Sequence, residues 1–217
     1  MNTGPEDREA FAAFLLRLRT KGIASRELVA AFEATPRRNF IPARWQSAAW
    51  SDRTVPIECG EAIEGVDLQA SVVNALAIEP GNRILEIGTG SGFMAALLGR
   101  LAGKGTTIER YRTLADLARE RMEALAITNV HVRHGDGAHG LAGDGPFDRI
   151  VVWPAFDSLP RNFADQLASG GIMVAAIGGP EEPQLMTKLT KVGSRFDRID
   201  MGYVRFQPMI QGVAASL

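Results

Sequence analysis

The chain has 217 residues, 46% of them hydrophobic, which suits one domain with an appendage or at most two small domains around a sizeable core. Its net charge of −1 argues against nucleic-acid binding, so the cluster Arg37-Arg38 reads as solvated surface. The single cysteine, Cys59, rules out an internal disulfide, and the polar start and lack of a long apolar run suggest a cytoplasmic protein that neither enters nor crosses a membrane.

Phe11, Phe14, Leu15 and Leu18 fall at i, i+3, i+4 and i+7 and predict a first helix, ended by Lys21-Gly22. Ser25 reads as the N-cap of a second helix, with Glu27 favourable in its first turn and Pro36 as its end. Leu28, Ala31 and Phe32 form its apolar stripe, and both stripes imply packing onto the main body. Residues 36–67 are irregular, and a segment of that length in a compact chain suits a lid over a ligand.

Helix and strand then alternate. The pattern predicts a helix over 71–78, a strand over 83–87, a helix over 93–101, a strand over 106–109 and a helix over 111–126. Strands over 130–132 and 149–152, a helix over 159–167 and a strand over 172–177 complete it. This is the signature of an α/β fold, a doubly wound, mostly parallel, Rossmann-like sheet with helices on both faces. Alternation through Leu185, Thr187 and Leu189, a turn at Val192-Gly193-Ser194 and a return through Tyr203-Val204-Arg205-Phe206 predict an antiparallel hairpin at the sheet edge. The expected division is residues 1–70 for the N-terminal helices and lid, and 71–217 for the ligand-binding domain.

The most informative run is Leu85-Glu86-Ile87-Gly88-Thr89-Gly90-Ser91-Gly92, between a strand and a helix. Glycines let backbone approach a ligand, and the helix start offers unpaired N–H groups. In doubly wound sheets ligands sit at the carboxyl ends of the strands. Gly90-Ser91-Gly92-Phe93-Met94-Ala95 also satisfies the dinucleotide pattern G-x-G-x-x-G/A, so a nicotinamide-dependent oxidoreductase is a rival reading. Glu109, at the end of the next strand, fits the ribose diol of either ligand. Glu86 would repel a pyrophosphate but tolerates a sulfonium, which favours S-adenosylmethionine. The spacing of Gly88, Gly90 and Gly92 resembles the methyltransferase loop E-x-G-x-G-x-G. Gly135-Asp136-Gly137 supplies a carboxylate able to accept from an adenine amino group, and Phe147-Asp148-Arg149-Ile150-Val151-Val152 carries the aromatic–Asp–x–apolar run common in class I methyltransferases.

With Pro36-Arg37-Arg38-Asn39-Phe40-Ile41-Pro42, Ser51-Asp52-Arg53-Thr54-Val55-Pro56-Ile57, Leu167-Ala168-Ser169-Gly170-Gly171 and Val204-Arg205-Phe206-Gln207-Pro208, these runs resemble the protein-L-isoaspartate O-methyltransferase family over roughly residues 30 to 210. The resemblance implies a class I methyltransferase fold and S-adenosylmethionine as cofactor. It implies Glu86, Gly88, Thr89, Gly90, Gly92, Glu109, Asp136 and Gly137 as cofactor-binding residues, and a damaged Asp or Asn residue in a protein or peptide as substrate. No metal is expected, because His131, His134, Asp136 and His139 lack ligand spacing.

One segment departs from the family. Where the family has a run like G-Q-T-I-S-x-P, whose serine is the residue usually assigned a catalytic role, this chain has Gly60-Glu61-Ala62-Ile63-Glu64-Gly65-Val66. Ala62 and Glu64 replace both hydroxyl residues, and Glu64 stands at the serine's position. An ionised Glu64 aimed at an acceptor carboxylate would repel it, by about 4 kcal/mol at about 4 Å and an effective dielectric of about 20. Three readings stay open: Glu64 points away, it takes a proton from a neutral hydroxyl or amine acceptor, or the protein binds the cofactor without rapid catalysis.

Overall fold

The computed structural model describes residues 4–215. Two helices lead, α1 (Pro5–Thr20) and α2 (Arg26–Glu33); the Ser25 side chain accepts from the Leu28 N–H and caps the second. A short antiparallel pair follows, β1 (Val55–Pro56) and β2 (Ala62–Ile63), and then α3 (Val66–Leu76). The main body comprises β3 (Arg83–Ile87), α4 (Phe93–Leu101), β4 (Lys104–Glu109), α5 (Arg112–Ala124), β5 (Val130–His134), β6 (Phe147–Phe156), α6 (Arg161–Ala164) and β7 (Leu167–Ile177). A hairpin closes it, β8 (Gln184–Val192) and β9 (Arg195–Val204).

Seven strands form one sheet in the order β5-β4-β3-β6-β7-β8-β9. Pairing is parallel from β5 to β7 and antiparallel from β7 to β9. The order reverses between β3 and β6, so their carboxyl ends open the crevice where ligands bind such sheets. Side chains alternate across the sheet: Ile84, Val151 and Val174 enter one core, and Leu85, Ile150, Val152 and Met173 the other. The first core also takes Phe14, Leu28, Val72, Leu97 and Leu114 from helices α1 to α5. The second is covered by α6, through Phe163, with Leu141 from connecting chain and Phe196 from β9.

Three expectations need correction. Helix α3 begins at Val66, not near 71, because Gly65 serves as N-cap and Asp67 in the first turn is held by Arg17 and Lys21 of the α1 end. The expected boundary at 70/71 therefore falls inside α3. The helix expected over 159–167 is the single turn α6. Gln166 is buried there, taking the Leu141 N–H and donating to the His139 and Asn162 carbonyls, and Leu167 already pairs with Phe147 in the sheet.

The third correction is Arg37, which is not solvated surface but fully buried. Its guanidinium donates to the Ala49 carbonyl, to the Glu64 carbonyl at 2.5 Å and to Gln69 Oε1 at 3.2 Å. Burial lowers its pKa to about 9, with Glu64 pulling the other way, so the group stays charged at neutral pH. One side chain thus ties the irregular segment to α3. Arg37→Met keeps the stem but leaves three buried oxygens without a donor. The expected result is a loss of about 3 kcal/mol, read as a lower urea midpoint.

Candidate active site

A cavity of about 330 Å³ opens at the carboxyl ends of β3, β4 and β6. Its floor is backbone. The chain leaves β3 at Ile87 and turns through Gly88, whose φ of 89° favours glycine. A Cβ on Gly88 would lie 3.2 Å from Pro154 Cδ and 3.3 Å from Trp153 Cβ. Gly92, with φ of 85°, starts α4, and a Cβ there would meet the Ala118 Cβ at 2.9 Å. A Cβ on Gly90 would extend toward Ile57 and Ile63, at 3.6 Å from each. These glycines keep a side-chain-free cradle at the start of a helix.

Glu109 ends β4 and is 5% exposed. The Gly90 N–H donates to its Oε2 at 2.8 Å and the Tyr111 N–H to its Oε1 at 3.0 Å. Burial raises its pKa and these N–H groups oppose the rise. Each oxygen keeps a lone pair for a ligand hydroxyl.

The carboxylate of Asp136 accepts from the N–H of Ala138 and of Gly212, each at 2.8 Å, and its pKa lies below the usual range; burial alone would raise it, and the two N–H bonds outweigh that.

Glu86 lies under the floor. Thr107 Oγ1 donates to its Oε2 at 2.7 Å and Trp153 Nε1 to its Oε1 at 3.0 Å. Desolvation pushes this carboxyl up to about 7, against those two bonds and with help from Glu109. Its visible role is to orient Trp153, which lines the cavity.

Of the residues singled out in the sequence, Glu64, Gly88, Thr89, Gly90, Glu109 and Gly137 line one cavity. Glu86, Gly92 and Asp136 do not line it: Glu86 and Gly92 are buried, and Asp136 is exposed. Sequence reasoning did not single out Met94, Arg110, Tyr111, Met209 or Ile210, which also line it. The first three sit one or two residues beyond recognised signals, at the start of α4 and the end of β4. Met209 and Ile210 follow the Val204–Pro208 motif, whose end lies beside β6: the Ala155 N–H donates to the Gln207 carbonyl and the Met209 N–H to the Ala155 carbonyl, each at 2.8 Å. Cys59 is half-buried at a positive φ of 61°, and burial followed by Glu109 raises its thiol pKa, the reverse of an activated nucleophile.

A crossover sheet with a glycine cradle after its first long strand and an acid ending the next has the architecture of a class I methyltransferase. A sequence model of the family "Protein-L-isoaspartate(D-aspartate) O-methyltransferase" matches residues 9–214. A protein-L-isoaspartate O-methyltransferase of Rhizobium meliloti is 44% identical over 202 residues, covering 93% of this chain and 99% of the relative. One of Azorhizobium caulinodans is 39% identical over the whole of both chains. Among solved structures, a candidate protein-L-isoaspartate O-methyltransferase of Plasmodium falciparum, in complex with S-adenosyl-L-homocysteine, matches with a TM-score of 0.76 at 21% identity, covering 91% of this chain and 97% of that one. The chain belongs to the protein-L-isoaspartate O-methyltransferase family.

Because the Glu86 pKa is raised on folding, the folded state binds more protons than the unfolded chain between 4.5, its ordinary value, and about 7. Its contribution is complete below 4.5 and is lost as pH rises through about 7. Urea midpoints of the wild type are expected to fall across that window, and those of Glu86→Gln, which keeps an oxygen for Trp153, to fall less.

Proposed function

We propose that this protein transfers the methyl group of S-adenosylmethionine to the side-chain carboxylate of isoaspartyl residues in proteins or peptides. The observation that carries the reading is a single cavity with two kinds of wall: the glycine cradle with Glu109 on one side, and the segment Glu61–Glu64 with Arg205 on the other.

S-adenosylmethionine supplies a methyl group on a sulfonium, a charge that disappears on transfer. Glu109 holds the ribose hydroxyls through its free lone pairs, and Gly88, Thr89 and Gly90 pass beneath the methionine portion. Gly137 borders the adenine end. Asp136 reaches the adenine amino group only by sharing oxygens already bonded to Ala138 and Gly212. Glu86 and Gly92 support the cradle from behind. Trp153, Phe206 and Ile63 exclude water, which favours a carboxylate poised in line with the methyl. Arg205, exposed at the rim, attracts the anionic acceptor.

With labelled S-adenosylmethionine, the wild type is expected to place a base-labile methyl ester on an isoaspartyl peptide and none on its aspartyl twin. Glu109→Gln is expected to weaken S-adenosylmethionine binding about tenfold by calorimetry. Tight binding of NAD without binding of S-adenosylmethionine would end this reading.

A further inference from the structure

We infer that Glu64 acts as a neutral carboxylic acid, donating a hydrogen bond to the acceptor carboxylate from the position where the family carries a serine. The inference rests on the isoaspartyl reading above.

Glu64 lines the cavity and is half-buried. The nearest buried cation, Arg37, does not pair with its carboxyl. All the hydrogen bonds that Arg37 makes go to neutral oxygens, one of them the Glu64 backbone carbonyl. Among the described residues no ion pair reaches Glu64. Thr54, just before β1, also lines the cavity, and its side chain favours the ionised form of Glu64.

The surroundings carry both signs of charge. Glu61, on the same segment, and Glu109, at the end of β4, share the cavity with Tyr111. Asp52 packs against Gly65, the next residue. Arg110 and Arg205 also border the cavity, and of all these charged groups only Arg37 acts appreciably on Glu64, favouring its ionised form. Loss of water outweighs Arg37 and Thr54 and brings the carboxyl to about 7. An arriving acceptor anion raises it further, because two like charges in one desolvated site resist double ionisation, while the sulfonium of bound S-adenosylmethionine pulls the other way.

The same contact that would repel as an anion therefore attracts as an acid. The acid orients one oxygen of the acceptor and leaves the other free to attack. A lone pair of that oxygen forms the O–CH₃ bond, the C–S bond breaks, and its electron pair stays on sulfur. A cation and an anion become a neutral thioether and a neutral ester. No proton leaves the acceptor, and Glu64 keeps its own throughout.

The test measures kcat/KM for an isoaspartyl peptide from about pH 5.5 to 9, with peptide binding measured calorimetrically in the presence of S-adenosylhomocysteine. Wild-type kcat/KM is expected to be level on the acid side and to fall about tenfold per pH unit at the alkaline end. Glu64→Gln, an isostere that donates at every pH, is expected to remove that fall, as is Glu64→Ser. Glu64→Ala is expected to lose about a hundredfold at pH 6. Near pH 8, peptide binding by the wild type is expected to take up close to one proton, measured in buffers of different ionisation enthalpy, and binding by Glu64→Gln none.

An unchanged alkaline fall in Glu64→Gln would assign it to Glu86 or Glu109 and overturn the inference while the isoaspartyl reading stands. A wild-type rate that rises with pH and vanishes in Glu64→Gln would make the residue a base and overturn it equally. Absence of isoaspartyl methylation by the wild type at every pH would overturn both.

Discussion

One carboxylate governs the geometry of the crevice. Glu109 receives the N–H of Gly90 from the loop after β3 and the N–H of Tyr111 from the turn after β4. Two strand ends that diverge toward different helices are thereby held at a fixed separation. The bond to Gly90 restrains a loop of glycines whose conformational freedom would otherwise leave the floor undefined. The interaction also keeps a desolvated acid within reach of a ligand, because both N–H donors favour its charged form.

A second buried anchor works on the opposite wall. Arg37 holds the carbonyls of Ala49 and Glu64 and the amide of Gln69 in α3, so residues 49 to 65, with little regular structure of their own, sit firmly on that helix. The cavity lies between these two polar anchors, one acidic and one basic. Each is satisfied mainly by backbone, which leaves the carboxyl of Glu64 without a cationic partner of its own.

Much of this was legible from the sequence, and what was not has identifiable causes. The strand-loop-helix unit from Arg83 to Leu101 could be bounded closely, because an apolar run, three alternating glycines and a second apolar stripe leave no competing pattern. Glu109 was found for the same reason, as the acid that ends the following strand. Arg37 was misread because a charged residue beside a second arginine looks solvated. Only the fold reveals carbonyls from residues far apart in sequence converging on it. The expected helix before Leu167 failed through a tertiary effect: Gln166 gives its side chain to the loop at His139 and Leu141 and to Asn162 of α6, and the strand recruits Leu167 earlier than the apolar run suggested. Glu86 was legible as a residue of the loop motif. Its position under the floor follows from strand alternation, which sets it on the face of Ile84, away from Leu85 and Ile87.

The hairpin at the sheet edge carries a consequence out of proportion to its distance from the crevice. Gly202 pairs with Met186 and Asp200 with Thr187, so Met201 is one residue more than the partner strand can match. Beyond that bulge the parity of the strand is inverted. Phe206 reaches the buried side, 6.1 Å from the Trp153 ring, and Arg205 takes the exposed one. Were β9 one residue shorter at this point, the two would exchange faces and the segment through Ile210 would be displaced by about 3.4 Å. The bulge is thus the gauge that sets the far wall, and a one-residue change at Met201 reads out as a change of chemistry at the rim.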